Sequence, residues 1–159
     1  MSSGNSYNGF VWAERQKAYD WLKREWAAGR RVKVGPECNV CGQTKGYLMA
    51  HSEDYSAPYG ANVGRWSLCY FCHMLIHCRF KAMPVFERYV SVLEGGDRFV
   101  NLYGPQWGVV QSYLAGRMEP PREKHGLLLI DPFAALFEEG NEAREARELV
   151  SGRVRGGHR

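Results

Sequence analysis

The chain has no long hydrophobic run. Its longest purely aliphatic stretch, Leu127 to Ile130, falls far short of the roughly 20 apolar residues that cross a bilayer. That stretch reads as a core segment, and no membrane partner is expected. Met1 to Gly9 is small and polar, without the apolar h-region of a secretory signal, so a cytoplasmic protein is expected. Internal repeats are absent. Cysteine is scarce and odd in number, at five, and an odd count without a secretory signal argues against a disulfide framework. Charge is nearly balanced, with 21 Lys/Arg against 17 Asp/Glu and a net of +4.

The small surplus is unevenly placed. Residues 1–81 hold 11 Lys/Arg against 6 Asp/Glu, whereas residues 82–159 hold 10 against 11. The basic half is the half with the cysteines. An anionic partner near them is expected, and nucleic acid is the commonest. At 159 residues with 45% apolar and 13% aromatic content, the chain suits one domain with extensions.

Periodicity outlines the rest. Residues 1–9 read as a disordered start. Val11, Arg15, Ala18, Leu22 and Trp26 recur at helical spacing, so residues 10–28 read as a basic N-terminal helix ended by Gly29, in a segment running to residue 35. Trp12, Trp21 and Trp26 are expected to pack against the core rather than to stack on bases. Arg30, Arg31 and Lys33 follow as candidate phosphate contacts. Residues 36–80 form a cysteine- and histidine-rich module, and 81–150 a helical extension. Pro84 suits the first turn of a helix over 83–94, stopped by Gly95-Gly96. A short helix is expected over Gln106 to Ala115. Pro120-Pro121 opens a polar linker. Asp131-Pro132 reads as an N-cap and N1 pair opening a helix to about Val150, with Gly140-Asn141 a candidate break. Residues 151–159 read as a flexible tail. The C-terminal helices offer a surface for a protein partner.

The strongest signal is a pair of C-x-x-C motifs, Cys38-Asn39-Val40-Cys41 and Cys69-Tyr70-Phe71-Cys72. A two-residue spacer lets one tight turn present two sulfurs to one ion. Two such turns complete the tetrahedron of a closed structural Zn²⁺ site. The 27 residues between the pairs leave room for a hairpin. Cys78 is left over and reads as a small buried apolar side chain.

The residues around the second pair carry a resemblance. Cys-x-x-Cys is followed by Ala50-His51, Asp54-Tyr55-x-x-Pro58, and Trp66-Ser67-Leu68-Cys69-x-x-Cys72-His73-x-x-x-His77. Over about residues 30–80 this resembles the zinc-containing HNH, or ββα-metal, endonucleases of phages and mobile elements. The resemblance implies an α+β fold in which a small ββα-metal zinc module is flanked by N- and C-terminal helices. It also implies a structural zinc on Cys38, Cys41, Cys69 and Cys72. A second divalent ion (Mg²⁺, Mn²⁺, Ni²⁺ or Zn²⁺) would lie on His51, His73 and His77, with DNA as the partner. His73 and His77, four apart, would share one helix face, with that helix beginning near Cys72.

Two departures stand out. Where the family places its general-base histidine this chain has Ser52, and a serine hydroxyl does not ionise near neutral pH. Where the family places the asparagine that holds that base, it has Arg65. Asn62 lies three residues out of register. Tyr55 or Asp54 is a candidate replacement base, and Arg65 a candidate phosphate clamp. Three readings follow: a metal-dependent endonuclease with an unusual base, an inactive DNA-binding descendant, and a protein-binding zinc adaptor.

Overall fold

The computed structural model describes residues 6–125 and 133–155. The Leu127–Ile130 run and the Asp131-Pro132 cap lie outside the described residues. The fold is α+β. Its described elements are α1 (Trp12–Ala27), β1 (Leu48–His51), β2 (Trp66–Cys69), α2 (Tyr70–His77), α3 (Met83–Glu94), β3 (Asp97–Phe99), α4 (Trp107–Leu114), β4 (Arg122–Lys124) and α5 (Ala134–Arg155). No described helix is long and apolar enough to cross a membrane. The chain divides into two compact units, each discontinuous in sequence: Met1–Val32, Ser52–Arg65 and Phe133–Arg159 in one, Lys33–His51 and Trp66–Pro132 in the other.

In the second unit, β1 and β2 pair antiparallel with Leu48 opposite Cys69 and His51 opposite Trp66. The chain passes from β2 straight into α2, two residues earlier than the sequence suggests. The reason is chemical. Cys69 is the N-cap, and its Sγ accepts a hydrogen bond from Cys72 N at 3.5 Å. The second C-x-x-C is therefore the first turn of the helix. The apolar side of α2 (Phe71, Leu75 and Ile76) is fully buried. Phe99 on β3 centres an aromatic core, with Phe71, Tyr89 and Tyr113 at ring-centroid distances of 5.3, 5.8 and 5.1 Å. The helix with Pro84 in its first turn lies where expected and ends at Glu94, with Gly95 as its C-cap and Gly96 following at φ +85°. The short helix over 107–114 also lies within its expected span. The sequence gives no sign of β3 and β4, which pair antiparallel. Three-residue strands are too short to show an alternation, and Arg122-Glu123-Lys124 has no apolar residue to mark a buried face.

In the first unit, α1 buries Ala18 and Leu22, two residues of the expected stripe. Gly29 follows the helix with φ +70°, as C-terminal glycines do. Leu22 lies over Gly64, where any Cβ would collide with it. Trp12 departs from expectation at 54% exposed, and Tyr19 is 43% exposed, while Trp21 and Trp26 are half-buried and pack on Tyr59 and Tyr19 at 5.8 and 6.2 Å. α5 also departs. It runs unbroken through Gly140-Asn141 and on into the expected tail as far as Arg155. Gly140 serves packing instead of a break. A Cβ there would strike the buried carboxylate of Glu53, and Gly140 O accepts from Asn8 Nδ2 at 2.9 Å. Glu53 also accepts from the Tyr7 hydroxyl.

One buried side chain ties the second unit together. Asn101 Nδ2 donates to Lys45 O at 2.8 Å and to Tyr47 O at 2.9 Å, on the approach to β1. Its Oδ1 accepts from Tyr70 N at 3.0 Å, in the first turn of α2, and from Leu102 N at 2.9 Å. Asn101→Ala leaves buried backbone groups unsatisfied and is expected to cost about 3 kcal/mol. Chemical denaturation of the two proteins, with unchanged slope and a lower midpoint, checks this.

Candidate metal centre

The two knuckles are held in register before any ion is considered. In the first, Gly42 N donates to Cys38 O at 2.9 Å and Cys38 N to Gln43 O at 2.8 Å. The knuckles are joined by a reciprocal pair: Asn39 N donates to Ser67 O at 2.8 Å, and Ser67 N to Asn39 Oδ1 at 2.7 Å. Arg98 Nη1 donates to Cys41 O at 2.8 Å. Its Nε, with Gln43 Nε2, also meets Glu123 Oε1, at 3.0 and 2.8 Å. Thus the short β3–β4 sheet braces the first knuckle.

Cys38, Cys41, Cys69 and Cys72 are all buried, and their sulfurs lie within 4.8 Å of one another. Cys41 Sγ and Cys69 Sγ are 3.7 Å apart. A tetrahedral ion with metal–sulfur bonds of about 2.3 Å has sulfur–sulfur edges of about 3.8 Å. The four cysteines can therefore hold a structural metal such as zinc. Burial pushes the Cys38 thiol up, but hydrogen bonds from Cys41, Cys69 and Cys72 outweigh it and hold it well below the usual thiol range. Hydrogen bonding with Cys38 and Cys41 pushes Cys69 well up, and burial does the same to Cys72. Four thiolates in one dry site need a cation among them. The Tyr89 hydroxyl hydrogen-bonds Cys72 Sγ. Burial, and then the cysteine charges, push its own pKa well up. It therefore keeps the proton that a thiolate would accept.

Cys78 is 8% exposed, and its Sγ donates to Met74 O at 3.5 Å. It stands outside the four-sulfur group.

A second ligand group lies in the same unit. His51 ends β1, and His73 and His77 lie one turn apart on α2. Their ligand nitrogens fall within 4.8 Å of one another. The ring centroids are 5.2 Å (His51–His73), 5.5 Å (His51–His77) and 4.7 Å (His73–His77) apart. The rings meet edge-on. Three imidazoles grouped in this way fit a divalent ion with open positions.

The other residues singled out in the sequence, Lys33 apart, lie in the first unit, each with protein partners. Ser52 Oγ accepts from Gly64 N at 2.7 Å, closing the 52–65 loop. Asp54 Oδ1 accepts from Ser56 N and Oγ at 2.9 and 2.6 Å. Asn62 Nδ2 donates to Ser56 O at 3.0 Å, and its Oδ1 accepts from Gly60 N at 3.0 Å. Tyr55 packs edge-on to Phe10 at 5.5 Å with the Arg15 guanidinium 5.6 Å from its ring centre. Burial raises its hydroxyl pKa, which disfavours use as a base. Arg65 lies 3.7 Å from Glu139. Arg30 makes a forked pair with Glu25 at 2.9 and 2.8 Å. Arg31 donates to Gly60 O and Val63 O at 2.9 and 2.6 Å. Lys33, in the second unit, is exposed. Sequence reasoning missed Asn39, Tyr89 and Asn101. No motif position calls for these residue types, and their roles exist only through partners 28, 17 and 31 residues away.

Compared with known proteins, the chain matches no protein-family model, no curated protein and no solved structure.

Cys69→Ser is expected to abolish stoichiometric zinc in the purified protein and to unfold the second unit, because structural zinc contributes on the order of 10 kcal/mol to such folds. Cys78→Ser is expected to retain it. Elemental analysis alongside thermal melts separates the two.

Proposed function

We propose that this chain is a zinc-stabilised, HNH-like protein that acts on nucleic acid, with His51, His73 and His77 holding a second divalent ion against a backbone phosphate. The observation that carries this reading is the convergence of the three imidazoles from an antiparallel strand and the helix that follows the second knuckle. In this reading β1, β2 and α2 form the ββα-metal module, and Cys38, Cys41, Cys69 and Cys72 hold its structural zinc. DNA is the proposed substrate, as the basic first half of the chain suggests.

A divalent ion on the histidines would supply Lewis-acid stabilisation of the phosphate and of the leaving oxygen. The chain's own part is to orient the three ligands. His51 is set by the β1–β2 register, and His73 and His77 by their one-turn spacing on a helix whose start is pinned by Cys69 and Asn101. What this chain lacks is an imidazole at position 52. The Ser52 hydroxyl oxygen accepts a hydrogen bond from Gly64 N, a structural duty. This favours, as a second reading, a DNA-binding protein of the same build with little or no cleavage. An adaptor role through the C-terminal helices has no comparable observation behind it.

Supercoiled plasmid incubated with the protein and Mg²⁺, Mn²⁺ or Ni²⁺ across pH 6–9 tests this. Nicking is expected to be weak, to require added metal and to vanish in His73→Ala. Ser52→His is expected to raise it, though by less than the roughly 10²–10⁴-fold that general-base catalysis typically supplies. The new ring must fit a position only 4% exposed, and Arg65 replaces the orienting asparagine. Absence of nicking in both forms, with the fold and zinc intact, overturns the cleavage reading and leaves the binding one.

A further inference from the structure

The first unit carries an exposed surface that the metal sites do not use. Trp12 and Tyr19 stand 54% and 43% exposed on α1, and neighbouring exposed aromatics, unlike a single one, mark a surface for a partner. They are seven residues apart, which places them on one face about 10 Å apart along the axis. Cations lie over both rings: Arg15 is 5.9 Å from the Trp12 ring centre and Lys23 is 5.0 Å from that of Tyr19. Trp26 extends the row, edge-on to Tyr19 at 6.2 Å. At 100° per residue, Lys17 and Arg24, both exposed, fall along the opposite border of the exposed arc. From Trp12 to Arg31 the chain holds six Lys/Arg against three Asp/Glu.

We propose that this outer face of α1 is a stacking surface for unpaired nucleobases, with Trp12 and Tyr19 as platforms and Lys17, Lys23 and Arg24 facing the phosphates. Flat rings beside cations are what a single strand requires, because every base has a π-face and every nucleotide a negative charge. A lipid surface fits less well. The face has no exposed Leu, Ile, Val or Phe between Trp12 and Ala27, and Asp20 lies within it, whereas an interfacial helix needs a broad apolar side. The Lys23–Asp20 pair at 2.9 Å, with both side chains about half exposed, is weak enough for a phosphate to replace. The inference rests on the nucleic-acid reading of the chain but not on cleavage at the histidines.

The test is fluorescence anisotropy with the full-length zinc-loaded protein, using a labelled 20-nucleotide dT strand and a labelled 20-base-pair duplex at low salt. The double variant Trp12→Ala/Tyr19→Ala is expected to lose about tenfold or more in affinity for the single strand. Its melting temperature and zinc content should not change, because both side chains are exposed. Trp12→Phe should retain most of the binding. Lys17→Gln/Arg24→Gln should reduce the slope of log affinity against log salt by about 1.4 for the single strand. Wild-type binding that the ring variants leave unchanged overturns the α1 surface while the nucleic-acid reading stands. No wild-type binding to either probe overturns both. Wild-type binding to phosphatidylserine vesicles that the double variant loses, without a loss on dT, overturns the proposal in favour of a lipid surface.

Discussion

Four sulfurs within 4.8 Å of one another, all buried, impose the constraint on which the second unit is built. Hydrogen bonds from its neighbours lower the Cys38 thiol, while hydrogen bonding raises Cys69 and burial raises Cys72. Only a cation among them lets all four ionise. Much of the surrounding structure prepares for that. Asn39 and Ser67 lock the knuckles together, Tyr89 hydrogen-bonds Cys72, and Arg98 ties Cys41 to β4. A site assembled this way can carry the fold of a module whose strands are only four residues long, too short to stand as an isolated hairpin.

The same knuckle decides where the histidines fall. Because Cys69 caps α2, the helix starts at Tyr70 and its phase is set by the sulfur site. His73 and His77 are then one turn apart on that helix, and β1, in register with β2, brings His51 to them. The two ligand groups are coupled mechanically: a shift of the second knuckle would rotate two of the three imidazoles. Asn101 reinforces the coupling by binding the approach to β1 and the first turn of α2 with one amide.

In the first unit the 52–65 loop is closed by its own polar groups. Ser52, Asp54 and Asn62 each satisfy backbone N–H or C=O groups of the same loop, and Arg31 caps two more carbonyls. Residues that read as candidates for chemistry or phosphate contact, Arg31 and Asp54 among them, here hold backbone. That is a common fate for short polar and arginine side chains in a long connection, because its backbone groups have no ladder to pair with.

The sequence by itself determined which four cysteines come together, because each C-x-x-C knuckle gathers its two sulfurs locally. It also determined α1, α3 and α4 to within two residues, because their apolar spacing and Gly or Pro punctuation are local signals. The helical spacing of His73 and His77 was legible for the same reason. Only the tertiary structure decided that Trp12 faces outward, that Gly140 admits Glu53 instead of breaking α5, and that Asn39, Tyr89 and Asn101 brace the sulfur site. It alone paired Arg122–Lys124 with Asp97–Phe99. Each of these depends on a partner distant in sequence, and periodicity within one segment cannot say which side of a helix another segment will cover.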